Sequence, residues 1–311
     1  MAEEAVMKAP GRLAVLMAYF MIYVVWGSTY YFIGVALQGF PPFLLGGLRF
    51  VAAGLLLLAY SRFRGERVFR GSLVRKSAVS GIILLFIDMS VIMLAQQYLS
   101  SSLVAILAAS TALWIMVLDV PMWRVNFRIP AVVFGMAAGF LGVVLLFLEQ
   151  LFLSDGLVRH EYGVILLVLG CISWALGTLY AKYRSCSEER VNEFAGAAWQ
   201  MLAAGGMFWL CAFARGEAPS AGWAEVPSAA WLSLAYLVSF GSILAYTSYI
   251  WLLKVRPAAE VGTHAYVNPL VAVVLGTAVG DESVSGVQWA GLGLVLASVR
   301  LVAGRKQNNQ N

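Results

Sequence analysis

What most constrains this chain is a succession of apolar segments, each about 20 residues long and separated by short polar breaks, because that is the length a helix needs to cross a bilayer. Ten are read, over residues 13–36, 42–61, 77–97, 101–122, 130–148, 162–182, 194–213, 229–252, 258–279 and 286–303. Stretches such as 81-GIILLFI-87 are continuous where the strands of a membrane barrel alternate. In lipid each backbone polar group has to be satisfied within its own element, so helices are the structure that remains. With 61% hydrophobic and 12% charged residues, a water-soluble fold of 311 residues has too little polar surface to cover its apolar side chains. The first segment is too long for the apolar part of a secretory signal and has no convincing small-residue cleavage site, so it is retained as helix 1.

Ten crossings put both termini on one side of the membrane. The termini and short loops of that side hold 18 Lys and Arg, whereas the opposite side holds only Arg159 and Arg215. Such residues favour the cytoplasmic face, so both termini are expected in the cytoplasm. The net charge of +5 belongs to this asymmetry, and basic residues dispersed over separate loops make no nucleic-acid footprint. Cys171, Cys186 and Cys211 are an odd number without metal-ligand spacing. The only histidines are His160 and His264, and HExxH, P-loop and GxSxG patterns are absent. No enzyme, catalytic residue, cofactor, metal or ATP-driven step is expected, so transport would have to run on a gradient of substrate or protons.

The chain repeats itself. The stretch 53-AGLLLLAYSRFRGE-66 matches 204-AGGMFWLCAFARGE-217 without a gap, each at the end of the second span of its half. Upstream, 26-WGSTYY-31 is echoed by 174-WALGTLY-180, and 103-LVAILAASTALW-114 corresponds to 260-EVGTHAYVNPLV-271. The expected domains are a first repeat over 13–148, a periplasmic linker over 149–161 and a second repeat over 162–303. Five spans per half make the second half enter the membrane from the other side. Inverted repeats of this kind recur in secondary transporters, where they supply inward-open and outward-open packings about a midplane site.

Ionisable groups inside hydrocarbon cost about 2.5–3.5 kcal/mol on insertion scales, so each one is a candidate for function. Asp88 lies near the midplane of helix 3, where it either meets a substrate ammonium or a proton, or stays neutral and pairs with a neighbour. Asp119 and Glu260 sit near helix ends, where an interface or the helix dipole explains them. In helix 9, His264 and Asn268 are four apart and share a face, while Tyr266 points about 200° away from His264 and needs a partner of its own. Pro269 cannot donate to the carbonyl of Ala265, which predicts a kink. Its repeat counterpart is Ala112, so the hinge rests on Pro269 alone. Gly135 and Gly139 in helix 5, with Gly293 and Ala297 in helix 10, make small-residue steps for close packing. A monomer, or a homodimer through helices 5 and 10, is expected.

With 26-WGSTYY-31, Arg49 in 47-GLRFVAAG-54, and 264-HAYVNPLVAVVLG-276 followed by Glu282, the chain resembles the EamA-type, ten-helix drug/metabolite transporter superfamily over about residues 13–303. It is most similar to bacterial inner-membrane metabolite exporters, near the branch that exports aromatic amino acids. The resemblance implies an all-α membrane fold of ten transmembrane helices, two inverted five-helix repeats around a central cavity, with helices 5 and 10 peripheral. It implies a structural or gating role for Arg49 and a multi-pass place in the bacterial inner membrane. It also implies a small-molecule substrate held by Trp26, Tyr30, Asp88, Trp114, Trp174, Tyr246, Tyr249, His264, Tyr266 and Asn268. The alternative reading of the rings is an interfacial belt, and the alternative functions are a drug or purine/pigment exporter or a non-transporting receptor or scaffold.

Overall fold

The computed structural model describes residues 11–96, 104, 107–146, 161–185, 193–219, 222–280 and 285–303. The linker expected at 149–161 lies outside them except for Glu161, as do His160, Cys186, Glu282 and residues 97, 101–103, 105–106, 147–148 and 281–284. Every regular element among the described residues is a helix. In chain order they are α1 (Arg12–Ala36), α2 (Pro42–Phe63), α3 (Gly71–Ala95), α4 (Leu107–Leu118), α5 (Pro130–Leu146), α6 (Glu161–Tyr180), α7 (Glu193–Arg215), α8 (Ser228–Val255), α9 (Ala258–Gly262 and His264–Gly280) and α10 (Gly286–Ala303). Six of them, α1, α2, α3, α6, α7 and α8, are long and apolar enough to cross a membrane. The short helix Val120–Asn126 meets α5 at 105°, and α4 and α10 are shorter apolar helices.

The packing is built from two repeats. Helix α2 lies along α7, its counterpart in the second half, and α5 lies along α10, its counterpart. The remaining neighbours come in exchanged pairs: α1 packs on α8 as α6 packs on α3, α9 packs on α1 as α4 packs on α6, and α3 packs on α7 as α8 packs on α2. Close approach is paid for with glycine. A side chain at Gly81 would run into the backbone of Gln200, and one at Gly27 would stand 2.6 Å from Val271 Cβ.

The repeated Arg-Gly-Glu is the end of a helix in both halves. Gly65 (φ 77°) and Gly216 (φ 61°) adopt the left-handed conformation that ends α2 and α7. Behind them Glu66 N donates to Ser61 O at 3.1 Å and Glu217 N donates to Ala212 O at 2.9 Å. This is the Schellman arrangement, in which glycine satisfies the last carbonyls of the helix at no steric cost.

Three spans are locally rewound from α to π, at Met21–Val25 in α1, Ile82–Ile87 in α3 and Leu237–Ala245 in α8, and a fourth π turn, Ala181–Ser185, follows α6. A π turn takes in an extra residue and weakens the carbonyl ladder, and such turns are common at functional sites. Helix α9 is interrupted at Thr263, where hydrogen bonds reach back three residues, and then runs through Pro269 to Gly280. A similar three-residue turn interrupts α4 at Ser110. The helix is thus continuous at Pro269, its interruption lies six residues earlier at Thr263, and α4 is interrupted without a proline.

Candidate functional site

Each π segment of the three rewound spans delivers one side chain to the same place. Trp26, Asp88 and Tyr246 are the first residues after the segments in α1, α3 and α8, and all three line one cavity. The rest of the wall comes as helical stripes: Thr29, Tyr30 and Ile33 of α1, Leu85, Met89 and Ile92 of α3, Ala108 and Thr111 of α4, and His264, Ala265 and Asn268 of α9. Spacings of three and four residues place each set on one helix face. Arg49 and Phe50 of α2, Trp174 of α6, and Gly241 and Ser242 of α8 complete it.

The aromatic part of the wall is one connected cluster. The Trp26 ring lies 5.5 Å from Trp174, 5.1 Å from His264 and 6.4 Å from Tyr246, and its Nε1 donates to Gly241 O at 2.9 Å. That carbonyl belongs to the π segment of α8, so the indole ties α1 to α8. Behind this layer sits Tyr249, with no exposed surface, accepting from Trp174 Nε1 at 3.2 Å and bonded to Thr178. Tyr246 donates to Gln200 Oε1 at 2.8 Å, and Gln200 Nε2 donates to Ser80 Oγ at 2.8 Å, a buried polar chain through α8, α7 and α3.

Two ionisable side chains face the same space without pairing to each other. The Arg49 Nε donates to Ser242 Oγ at 2.9 Å, and its guanidinium lies 4.9 Å above the Phe50 ring. Asp88 is only 5% exposed and has no hydrogen-bond donor among the described residues. A methyl group added at Gly170 would stand 3.5 Å from its Oδ1. Buried charges that lack partners are expensive, and in membrane proteins they persist where a wet cavity or a ligand meets them. The His264 Nδ1 lies 2.9 Å from Val261 O, an acceptor, so in the neutral ring Nδ1 carries the proton and Nε2 is left as an acceptor.

Asn268 has a structural duty. With its amide nitrogen turned to the carbonyls around it, it donates to Ile22 O at 2.9 Å and Tyr23 O at 3.1 Å. Both carbonyls lie in the π segment of α1. The same seam of α1 and α9 continues toward Arg12: Tyr23 Oη and Thr263 Oγ1 are 2.8 Å apart, and Tyr19 Oη donates to Glu260 Oε1 at 2.8 Å. Arg256 pairs with that carboxylate at 3.7 Å, and Lys182 Nζ donates to Leu253 O and Arg256 O, each at 2.7 Å. On the same side Tyr183 donates to Asp119 Oδ1 at 2.6 Å. Polar ties thus close the end of the bundle where α1 starts, while the cavity occupies the middle and the opposite half.

Of the residues expected at the site, Trp26, Tyr30, Asp88, Trp174, Tyr246, His264 and Asn268 lie in the cavity wall, and so does Arg49. Trp114, Tyr249 and Tyr266 do not. Trp114 packs against the core and Tyr249 stands behind Trp174. Tyr266 is fully buried and donates to Met136 O of α5 at 3.0 Å, the separate partner its direction on the helix required. The expectations did not include Thr29, Phe50, Thr111, Gly241 or Ser242; Thr29 shares the stripe of Trp26 and Ile33, a spacing visible in the sequence. Gly135 and Gly139 face α10 and Tyr266 within the same chain, whereas Gly293 has open space around it.

Two helical repeats packed around a cavity with ionisable side chains and a layer of rings define a membrane transporter of the repeat-built kind. The chain belongs to the EamA-like transporter family, whose sequence model matches residues 12–148 and 161–304. It is 34% identical over 288 residues to YedA of Escherichia coli strain K12, named as an uncharacterized inner membrane transporter, covering 92% of this chain and 89% of that one. It is 26% identical over 293 residues to the transporter YvbV of Bacillus subtilis, covering 94% and 91%. A solved crystal structure superposes with a TM-score of 0.77 at 20% identity, over 97% of this chain and all of the other, and shares the fold. The protein is a multi-pass membrane transporter and not an enzyme.

Proposed function

We propose that this transporter exports small metabolites across the bacterial inner membrane by alternating access, and that amino acids, aromatic ones above all, are its substrates. The observation that carries this reading is the joint presence of Asp88 and Arg49 in one cavity, unpaired with each other, with a wall of rings beside them. A carboxylate suits an ammonium, a guanidinium suits a carboxylate, and indole and phenol rings suit a flat apolar side chain. In the same reading the chain crosses the membrane ten times with both termini in the cytoplasm, over repeats 13–148 and 162–303. The tied end of the bundle is then the cytoplasmic one, and the cavity belongs to an outward-facing state. Any self-association falls to the outward face of α10 at Gly293 and Ala297, because α10 itself covers the glycine step of α5.

The test is flux. Proteoliposomes loaded with phenylalanine or tryptophan should release them in a saturable, protein-dependent manner, and Trp26→Ala should weaken the effect. No saturable flux of any amino acid would refute the substrate assignment. Flux of planar drugs or purines in its place would identify the alternative exporter, and binding without flux would identify a receptor.

A further inference from the structure

Residues 62–76, the turn between α2 and α3 with its flanks, carry six cations and one carboxylate. Their net charge of +5 equals that of the whole chain, so the remainder of the protein is formally neutral. Arg62, Arg64, Arg67, Arg70 and Arg75 are all exposed, and none forms an ion pair with a described residue. The repeat offers an internal comparison. The matching turn after α7 has the same glycine cap, but there Arg215 pairs with Glu217 at 3.5 Å and the charge is cancelled.

This turn is held in place from beneath. Val68 is buried with Leu73 and Ala195, half-buried Trp199 packs against them, and its Nε1 donates to Val68 O at 2.8 Å. The Phe69 ring meets Trp199 edge-on at 5.6 Å. The arginines on either side of Val68 therefore stand on a fixed backbone. Among them Phe63 and Phe69 are 91% and 74% exposed. Neither pattern suits water: like charges confined to one turn repel, and exposed phenyl rings gain nothing. Both suit the boundary of a bilayer with anionic lipids, where phosphates neutralise guanidinium groups and rings settle at headgroup level.

We propose that the α2–α3 turn is a binding site for the headgroups of anionic phospholipids in the surrounding bilayer, with the five arginines on the phosphates and Phe63 and Phe69 inserted beside them. The site is separate from the transport cavity, and its test does not depend on which solute is carried. The full-length protein is placed in mixed phosphatidylglycerol–phosphatidylcholine nanodiscs, and the lipids it retains are counted by native mass spectrometry. The parent should retain phosphatidylglycerol over phosphatidylcholine. Replacing Arg62, Arg64, Arg67, Arg70 and Arg75 by Gln should cut that preference on the order of tenfold or more, since one basic group near a charged surface is worth about fivefold. A control with Arg12, Arg124, Arg128, Arg300 and Arg305 replaced by Gln loses the same charge elsewhere and should keep the preference. The parent itself should release phosphatidylglycerol at about 1 M salt, where the screening length falls to about 3 Å. A preference that survives in the turn variant, disappears equally in the control, or ignores salt in the parent overturns the proposal.

Discussion

Tyr266 and Trp26 occupy helices that touch, and their fates differ because of what lies within reach of each polar atom. The Tyr266 hydroxyl is spent on Met136 O, away from the cavity, whereas the Trp26 indole is spent on Gly241 O while its ring still faces the cavity. Tyr266→Phe should therefore cost about 1 kcal/mol of stability, read as a lowered Tm in detergent, with substrate affinity unchanged. Asp88→Asn keeps the volume and removes the charge. It should raise the apparent KM for zwitterionic solutes on the order of tenfold, the loss expected for a charge-assisted contact, with no comparable drop in Tm; an unchanged KM would separate Asp88 from the substrate. At this scale the sequence was informative wherever a polar residue was costly to bury, as at Asp88, Arg49 and His264. It was silent on which side of a wall Trp114 and Tyr249 stand, because they differ from Trp26 and Trp174 only in tertiary placement, whereas the direction of Tyr266 on its helix already set it apart from His264.

Helix ends and windings carry the next level of information. The matched Arg-Gly-Glu stretches reveal the repeat in the sequence, and the structure supplies their cause, two helices closed by left-handed glycines. Gly65→Ala and Gly216→Ala should each destabilise the protein by about 1–2 kcal/mol, since a Cβ is penalised in that conformation; equal Tm values for parent and variants would refute the capping role. The π segments had no such signal. 21-MIYVV-25 and 82-IILLFI-87 read as ordinary apolar helix, and their rewinding depends on what packs beside them, such as the Asn268 amide that donates to Ile22 O and Tyr23 O. Asn268→Leu leaves those carbonyls without the donor and should lower stability by about 1–3 kcal/mol, measured by thermal unfolding. Proline was an incomplete guide for a related reason: α4 turns at Ser110 with no proline nearby, so the break answers to packing around the cavity and not to one ring.

For the molecule as a whole, the exchanged helix contacts are those expected of two like halves facing each other, since a contact between a helix of one half and a helix of the other then recurs with the halves swapped. A fluorescent reporter fused to the C-terminus should shine and a periplasmic phosphatase fused there should be inactive; the reverse would invert the orientation. The ties of Tyr19 and Tyr23 to Glu260 and Thr263 have a consequence for the cell that harbours the protein. They are insulation. In the outward-facing reading the cavity is a partial breach of an energised membrane, and the seam of α1 and α9 is one of the described ties that separate it from the other compartment. Cutting those ties with Tyr23→Ala and Thr263→Ala should turn a carrier into a leak, seen in liposomes as collapse of an imposed membrane potential without added substrate. A variant that holds the potential as well as the parent would place the insulating layer elsewhere. By this measure Tyr19 and Tyr23 serve the resting membrane, and Tyr30, the α1 phenol in the cavity wall, is the one that faces the solute.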